Sequence, residues 1–343
     1  MPVGPSRPIV CESCSADAPR IATQASGQEA VVSYELGPGE PVVLAGHQIN
    51  PAAIAVRDDI VFWTAWHRDG MIQSVSREGG VPRILAAGLN GPGAIAVSHH
   101  RVFWTCTLDD WQTDVSYVSR NGGVPDVFAS GPPEPYQLIT DATNLYWTTK
   151  DSVMKVPLRG GQPTPIATGL QPSNGIVVDS GVVYFTDEGS VLRVAATGGP
   201  VDALARGQHD ARAIATDASN VYWVSYGTWL PKERRRDGGV WKMAKGGGPP
   251  TLLAAANGAN TIAVDVEHVY WTEEDTVNRV PKGGGSPTVL ASAQEIPLGI
   301  ALDDINVYWT TQSNSGTQGT VMKLEKGVAK RRDSSASPPR RIP

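Results

Sequence analysis

The sequence predicts an all-β fold, a seven-bladed β-propeller of four-stranded antiparallel blades, the last of them closed by an N-terminal strand. Three observations lead there. Glycine and proline are plentiful, 37 and 27 of 343 residues, while 18% of residues are charged and 41% hydrophobic. A short group, apolar-aromatic-aromatic with threonine next in six of the copies, recurs seven times. Each recurrence sits inside a longer unit of four strand-like runs separated by turn residues.

Usual frequencies are about 7% for glycine and about 5% for proline, so both are in excess. The low charge excludes a long-helix protein, and the ordinary apolar share excludes wholesale disorder. Many short strands joined by tight turns use glycine and proline in this way. A chain of this size buries roughly 75% of its unfolded surface, so a core forms without disulfides. Three cysteines, Cys11, Cys14 and Cys106, are too few for a disulfide framework.

The repeated group reads Val61-Phe62-Trp63-Thr64, Val102-Phe103-Trp104-Thr105, Leu145-Tyr146-Trp147-Thr148 and Val183-Tyr184-Phe185-Thr186. It continues as Val221-Tyr222-Trp223-Val224, Val269-Tyr270-Trp271-Thr272 and Val307-Tyr308-Trp309-Thr310. Successive third members lie 41, 43, 38, 38, 48 and 38 residues apart, the period of a propeller blade. Three successive apolar positions mark a strand buried on both faces, as when a blade is sandwiched between two others. Repetition at this position gives Trp63, Trp104, Trp147, Trp223, Trp271 and Trp309 a packing role, and Trp241 reads likewise in a third strand.

The clearest full unit runs from Ile262-Ala263-Val264-Asp265 through the aromatic group to Val277-Asn278-Arg279-Val280, a glycine turn at 283–285, and Pro287-Thr288-Val289-Leu290-Ala291. Inner strands are expected at 53–56, 94–97, 137–140, 175–178, 213–216, 262–265 and 299–302, and the last third strand at 321–324. Only six fourth strands follow these starts. Pro41, Leu44 and Ala45 in 39–46 have the spacing of the missing one, so the N-terminal side closes the last blade and removes an exposed sheet edge. Val31-Val32-Ser33-Tyr34 resembles a third strand and competes with 321–324 for that slot. The expected organisation is a propeller over 31–327, flanked by a disordered segment 1–30 and a disordered basic tail 328–343.

The unit IAVD…VYWT…V-x-x-V-P-x-GG…P-x-x-LA resembles the YWTD repeat of LDL-receptor class B propellers and their bacterial-type relatives over residues 31–327. The resemblance implies the propeller fold. The family's aspartate after Tyr-Trp-Thr survives as Asp187, with Glu273 nearest to it elsewhere. Receptor propellers are six-bladed and flanked by cysteine-rich modules, whereas this chain has seven copies and no such modules.

Ligands of propellers meet the mouth of the central channel. Two positions before each inner-strand Ile or Leu, the seven blades contribute Ala52, Gly93, Tyr136, Asn174, Arg212, Asn260 and Leu298, so four neighbouring blades form a polar arc. Long loops follow the aromatic strand at 108–112 and 226–236, and a shorter one carries Trp66, His67, Arg68 and Asp69. Trp66, Trp111, Tyr226 and Trp229 stand outside the repeated core positions. Aromatic side chains beside arginine compose contact surfaces for proteins, peptides or glycans. The leading expectation is a non-catalytic, monomeric binding propeller using Trp66, His67, Trp111, Tyr136, Asn174, Arg212, Tyr226, Trp229 and Asn260.

Two alternatives stand beside it. His209, Asp210 and Arg212 could serve a lyase, lactonase or hydrolase, with His209 as general base. A structural module of a cell-envelope assembly is the other. No cofactor is expected; Asp187 and Glu273, in equivalent loops two blades apart, are the candidates for Ca²⁺. Cys11-x-x-Cys14 has zinc spacing but no second pair. A net charge of −5 gives no basic balance for nucleic acid, and no apolar run is long enough to span a membrane. The first residues lack a signal peptide, so an extracellular or envelope location requires an upstream start.

Overall fold

The computed structural model describes residues 39–107, 113–130, 135–171, 174–233, 235–313 and 318–327. These form seven four-stranded antiparallel sheets and one two-stranded ribbon, arranged as the blades of a propeller. No helix among the described residues is long and apolar enough to cross a membrane. Blade 1 consists of Pro51–Arg57, Ile60–Ala65, Gly70–Ser76 and Arg83–Leu89, counted from the channel outward, and the next five blades follow the same course. Blade 7 takes Pro297–Leu302, Asn306–Gln312 and Gly319–Glu325 from the C-terminal side and its outer strand, Val42–Gln48, from the N-terminal side. Gly319–Glu325 therefore holds the third-strand slot, and the competing segment 31–34 lies outside the described residues.

Register repeats with the sequence. In every blade the inner-strand Ile or Leu pairs with the second aromatic position: Ile54 with Trp63, Ile95 with Trp104, Leu138 with Trp147, Ile176 with Phe185. The series continues with Ile214 and Trp223, Ile262 and Trp271, Ile300 and Trp309. Adjacent strand residues point to opposite faces, so the two aromatics of one blade go to different neighbours. Phe62 of blade 1 packs with Trp104 of blade 2, Tyr222 of blade 5 with Trp271 of blade 6, and Tyr308 of blade 7 with Trp63 of blade 1. The core is thus seven interblade layers rather than one central mass.

Threonine at the end of the aromatic group, present in every blade but the fifth, has a second task. Its buried Oγ1 accepts the inner-strand N–H of its own blade, from Ala53 to Thr64 (3.1 Å), Gly175 to Thr186 (2.9 Å) and Gly299 to Thr310 (3.0 Å). The same hydroxyl donates to a carbonyl of the next blade: Thr64 to Gly93 (2.9 Å), Thr186 to Arg212 (2.6 Å), Thr272 to Leu298 (3.1 Å) and Thr310 to Ala52 (2.6 Å). The last of these closes the ring across 258 residues of chain. All four accepting carbonyls belong to residues two positions before the inner-strand Ile. Bulk is excluded beside the latches: a Cβ on Gly175 would stand 2.2 Å from the Arg212 carbonyl oxygen.

The opposite rim carries the turns after inner strands and the paired glycines after third strands. There the aspartate of Ile-Ala-Val-Asp caps its own turn. Asp265 accepts the N–H groups of Glu267 (2.9 Å) and His268 (2.8 Å) and the Tyr270 hydroxyl (2.8 Å), and Asp141, Asp217 and Asp303 do the same. A base from the following blade then reaches back to it: Lys282 to Asp217 (2.8 Å), Lys326 to Asp265 (3.0 Å), Arg77 to Asp303 (3.6 Å) and Lys245 to Asp179. In blade 1 Arg57 occupies the aspartate position, and Arg120 pairs instead with Asp58 at 2.7 Å. Forward bonds interlock with these clamps, such as Lys242 to the Lys282 carbonyl (2.7 Å) and Lys323 to that of Arg77 (2.7 Å).

Thr310→Val keeps the shape of the residue but leaves the Gly299 N–H and Ala52 carbonyl without partners, and should cost about 2 kcal/mol in denaturant unfolding. Thr310→Ser should recover most of that loss. Burial works against ionisation of Asp265, but the N–H groups of His268 and Glu267, the Lys326 ammonium and the Tyr270 hydroxyl outweigh it and hold the carboxyl at about 2. A depressed carboxyl adds stability above its unfolded value, and that stability drains away as pH falls toward the folded one. Lys326→Met should therefore cost about 3 kcal/mol near neutral pH, with the penalty shrinking toward pH ~2 in urea titrations.

Candidate functional site

The four latch-held residues, Gly93, Arg212, Leu298 and Ala52, together with Tyr136, Asn174 and Asn260, line a single cavity of about 690 Å³ in the central channel. Every member of the ring read from the sequence is there. Deeper in the channel the lining becomes small and then apolar, through Ala53, Gly175 and Gly299 to Ile54, Ile176 and Ile300. The result is a cup with a polar mouth and aliphatic inner walls. Polar groups gather on blades 3 to 6, while blades 7, 1 and 2 contribute Leu298, Ala52 and Gly93.

Blades 5 and 6 make the densest part of the arc. Arg212 is fixed from three sides. Its Nε donates to Asp210 Oδ2 (3.2 Å), one terminal nitrogen donates to Asn260 Oδ1 (3.1 Å), and its guanidinium lies 3.5 Å from the centre of the Tyr226 ring. Arg236 stacks on the same ring at 4.1 Å. Tyr226 thus meets two guanidinium groups, and Arg236 also donates to the Gly227 carbonyl (2.9 Å). This cluster stands where the threonine latch is missing, because blade 5 has the buried Val224 in that position. On the channel side, the link from blade 5 to blade 6 runs through these side chains instead.

The loop 226–237 is built to hold its shape. Trp229–Leu230 pairs with Arg235–Arg236 as a two-stranded ribbon, and Asp237 accepts the Thr228 N–H at 2.6 Å. A Cβ on Gly227 would fall 2.2 Å from the Gly238 nitrogen, so glycine permits the close return of the chain. Trp229 nevertheless leaves 48% of its surface exposed. In blade 1 the Trp66 N–H is held by the Asn50 carbonyl (2.9 Å) and the His67 carbonyl by the Gly91 N–H (2.9 Å), yet Trp66 is 56% exposed. Both tryptophans rise from second-to-third-strand loops, hence on the face of the mouth, with blades 6 and 7 between them. Trp111 lies outside the described residues.

His209 and Asp210 have separate partners. His209 Nδ1 is 3.3 Å from Thr228 Oγ1, and Asp210 is paired with Arg212. Glu273 accepts the Trp271 indole N–H (3.2 Å) and the Asn257 N–H (2.9 Å), and burial, only partly offset by those bonds, pushes its carboxyl up. Asp187 accepts the Gly189 N–H of its own turn at 3.3 Å. No three His, Cys, Asp or Glu side chains among the described residues are grouped to hold a metal ion. The ring and the loop aromatics were visible in the sequence. The role of Arg236 was not, although its place across the ribbon from Trp229 follows once the ribbon is seen.

No protein-family model matches the chain, and no curated protein matches it. Solved structures do match: one, a crystal structure of a nidogen/laminin complex, aligns over 57% of this chain and 75% of its own, at 22% identity and a TM-score of 0.47. That degree of likeness assigns neither ligand nor partner.

Glu273→Gln keeps an acceptor for both Trp271 and Asn257 and removes a charge that burial disfavours. A carboxyl raised in the folded state loses stability as pH rises through its folded value. The variant should therefore gain on the parent in thermal unfolding as pH rises above the ordinary glutamate value of about 4. Glu273→Ala, which strands both donors, should lose about 1–3 kcal/mol.

Proposed function

We propose that this is a non-catalytic binding propeller that takes a protein, peptide or glycan segment across the channel mouth, and that it is a bacterial-type relative of the YWTD repeats it resembles. One observation carries the binding reading. Trp66 and Trp229 are half exposed on loops whose backbones are fixed, and they flank a polar cavity of about 690 Å³. Core packing requires neither ring. Ordered aromatic groups cost little entropy when a ligand covers them, and such residues dominate contact surfaces.

The arc specifies polar recognition. Arg212 already has its counter-charge in Asp210, so it presents oriented N–H donors with little net charge. Tyr136, Asn174 and Asn260 add groups able to donate and accept at the same level of the cup. Amides and hydroxyls of a peptide or sugar suit this lining better than a bare anion. His209 and Asp210, each paired elsewhere, act here as supports for Thr228 and Arg212.

The double variant Trp66→Ala, Trp229→Ala should keep its melting temperature within a few degrees and lose at least about tenfold in affinity for ligands selected from glycan and peptide arrays. Unchanged affinity would place binding elsewhere. A collapse of stability would show that the rings pack their own loops.

A further inference from the structure

The rim opposite the mouth has a second cavity, of about 700 Å³, where blades 1, 2 and 3 meet. It opens at the junction where both halves of a charge clamp are missing; at the next junction Ala196 stands in the base's place and only the carboxylate, Asp141, remains. In blade 2 Ser98 stands at the position of Asp179, Asp217, Asp265 and Asp303, and in blade 3 Leu158 stands at that of Lys245, Lys282 and Lys326. Both halves of the clamp are absent together, and both residues line the cavity.

What surrounds the gap is basic. Arg57, Arg101 and Arg159 line it with His99 and His100, against one carboxylate, Asp141. No ion pair among the described residues involves any of these three arginines. Arg101 is anchored through Nη1 to the Leu158 carbonyl (2.9 Å) with its guanidinium 4.6 Å from the Tyr117 ring centre. Arg57 donates through Nη1 to the Val97 carbonyl (3.4 Å), and its buried Nε has no partner. Asp141 is committed to its own turn, accepting from Thr143 (2.7 Å), Asn144 (2.6 Å) and the Tyr146 hydroxyl (2.7 Å). Two guanidiniums held in place and a third, exposed one thus face a cavity without carboxylate partners, on a chain whose net charge is −5.

We propose that this turn-side pocket binds a small, multiply charged oxyanion group, a phosphate or a sulfate, with Arg57, Arg101 and Arg159 supplying the charge. Guanidinium forks match the oxygens of such groups, and a gap in a ring of Asp–Lys clamps is a place where an anion completes the missing charge. The site is independent of the channel mouth.

Isothermal titration of the whole chain with pyrophosphate, inorganic phosphate and sulfate tests it, the three separating phosphate from sulfate and charge from shape. Saturable binding of at least one anion is expected, weakened about tenfold by Arg159→Gln, an exposed position that leaves the fold intact. The double variant Ser98→Asp, Leu158→Lys, which rebuilds the clamp found in blades 5 to 7, should abolish that binding. Trp66→Ala, Trp229→Ala should leave it unchanged, so failure here and failure of the mouth reading are distinguishable. Absence of saturable heat with all three anions would overturn the proposal, as would equal affinity in the parent and Arg159→Gln.

Discussion

The bond from a buried threonine hydroxyl to the carbonyl of the next blade is the constraint on which the rest of this propeller depends. A blade is a sheet with two apolar faces and needs a neighbour on each. The aromatic layers supply the attraction but are tolerant of sliding, because dispersion and burial have little direction. A hydroxyl that accepts from one blade and donates to the next has direction and is satisfied at only one spacing. Thr64, Thr186, Thr272 and Thr310 set that spacing at four junctions, and Thr310 does so across the point where the chain's two ends meet.

This constraint also builds the cup. The carbonyls received by the latches belong to Gly93, Arg212, Leu298 and Ala52, which are ring residues of the mouth. Core and candidate site are therefore one piece of architecture: the residue that closes a blade orients the first side chain of the next. Function is then read from the departures. Val224 removes a latch, and the junction it leaves is bridged by Arg212 and Asn260 inside the cavity. Ser98 and Leu158 remove a clamp on the other rim, and a basic pocket lies there. In a repeat protein each blade is the control for the others, so an exception stands out against the regular copies.

Most of the fold was legible because the repeat multiplies a weak local signal. One Val-Tyr-Trp-Thr run is ambiguous between a buried strand and part of a helix; seven at blade spacing are not. The missing outer strand at 39–46 and the convergence of Ala52, Gly93, Tyr136, Asn174, Arg212, Asn260 and Leu298 followed from alignment of the copies alone. Partnerships were less legible. Adjacency in sequence suggested His209 with Asp210, but successive residues diverge, and the pairs that form are His209 with Thr228 and Asp210 with Arg212. The donors that meet the Glu273 carboxylate, Trp271 and Asn257, are likewise visible only in the fold. The turn-side pocket has its own signal in the sequence, in Ser98 and Leu158 falling at charged positions of the repeat.

If threonine latches hold the blades at one spacing, the amides that donate to them should open only when the whole propeller does. Native-state hydrogen exchange at Ala53, Ala94, Gly175 and Gly299, each bonded to a threonine Oγ1, measures this directly. Exchange free energies equal to the global unfolding free energy are expected at all four, including Gly299 at the closure. Exchange at these amides as fast as in the 229–236 ribbon would contradict it, showing that blades part locally and that the aromatic layers alone keep the ring together.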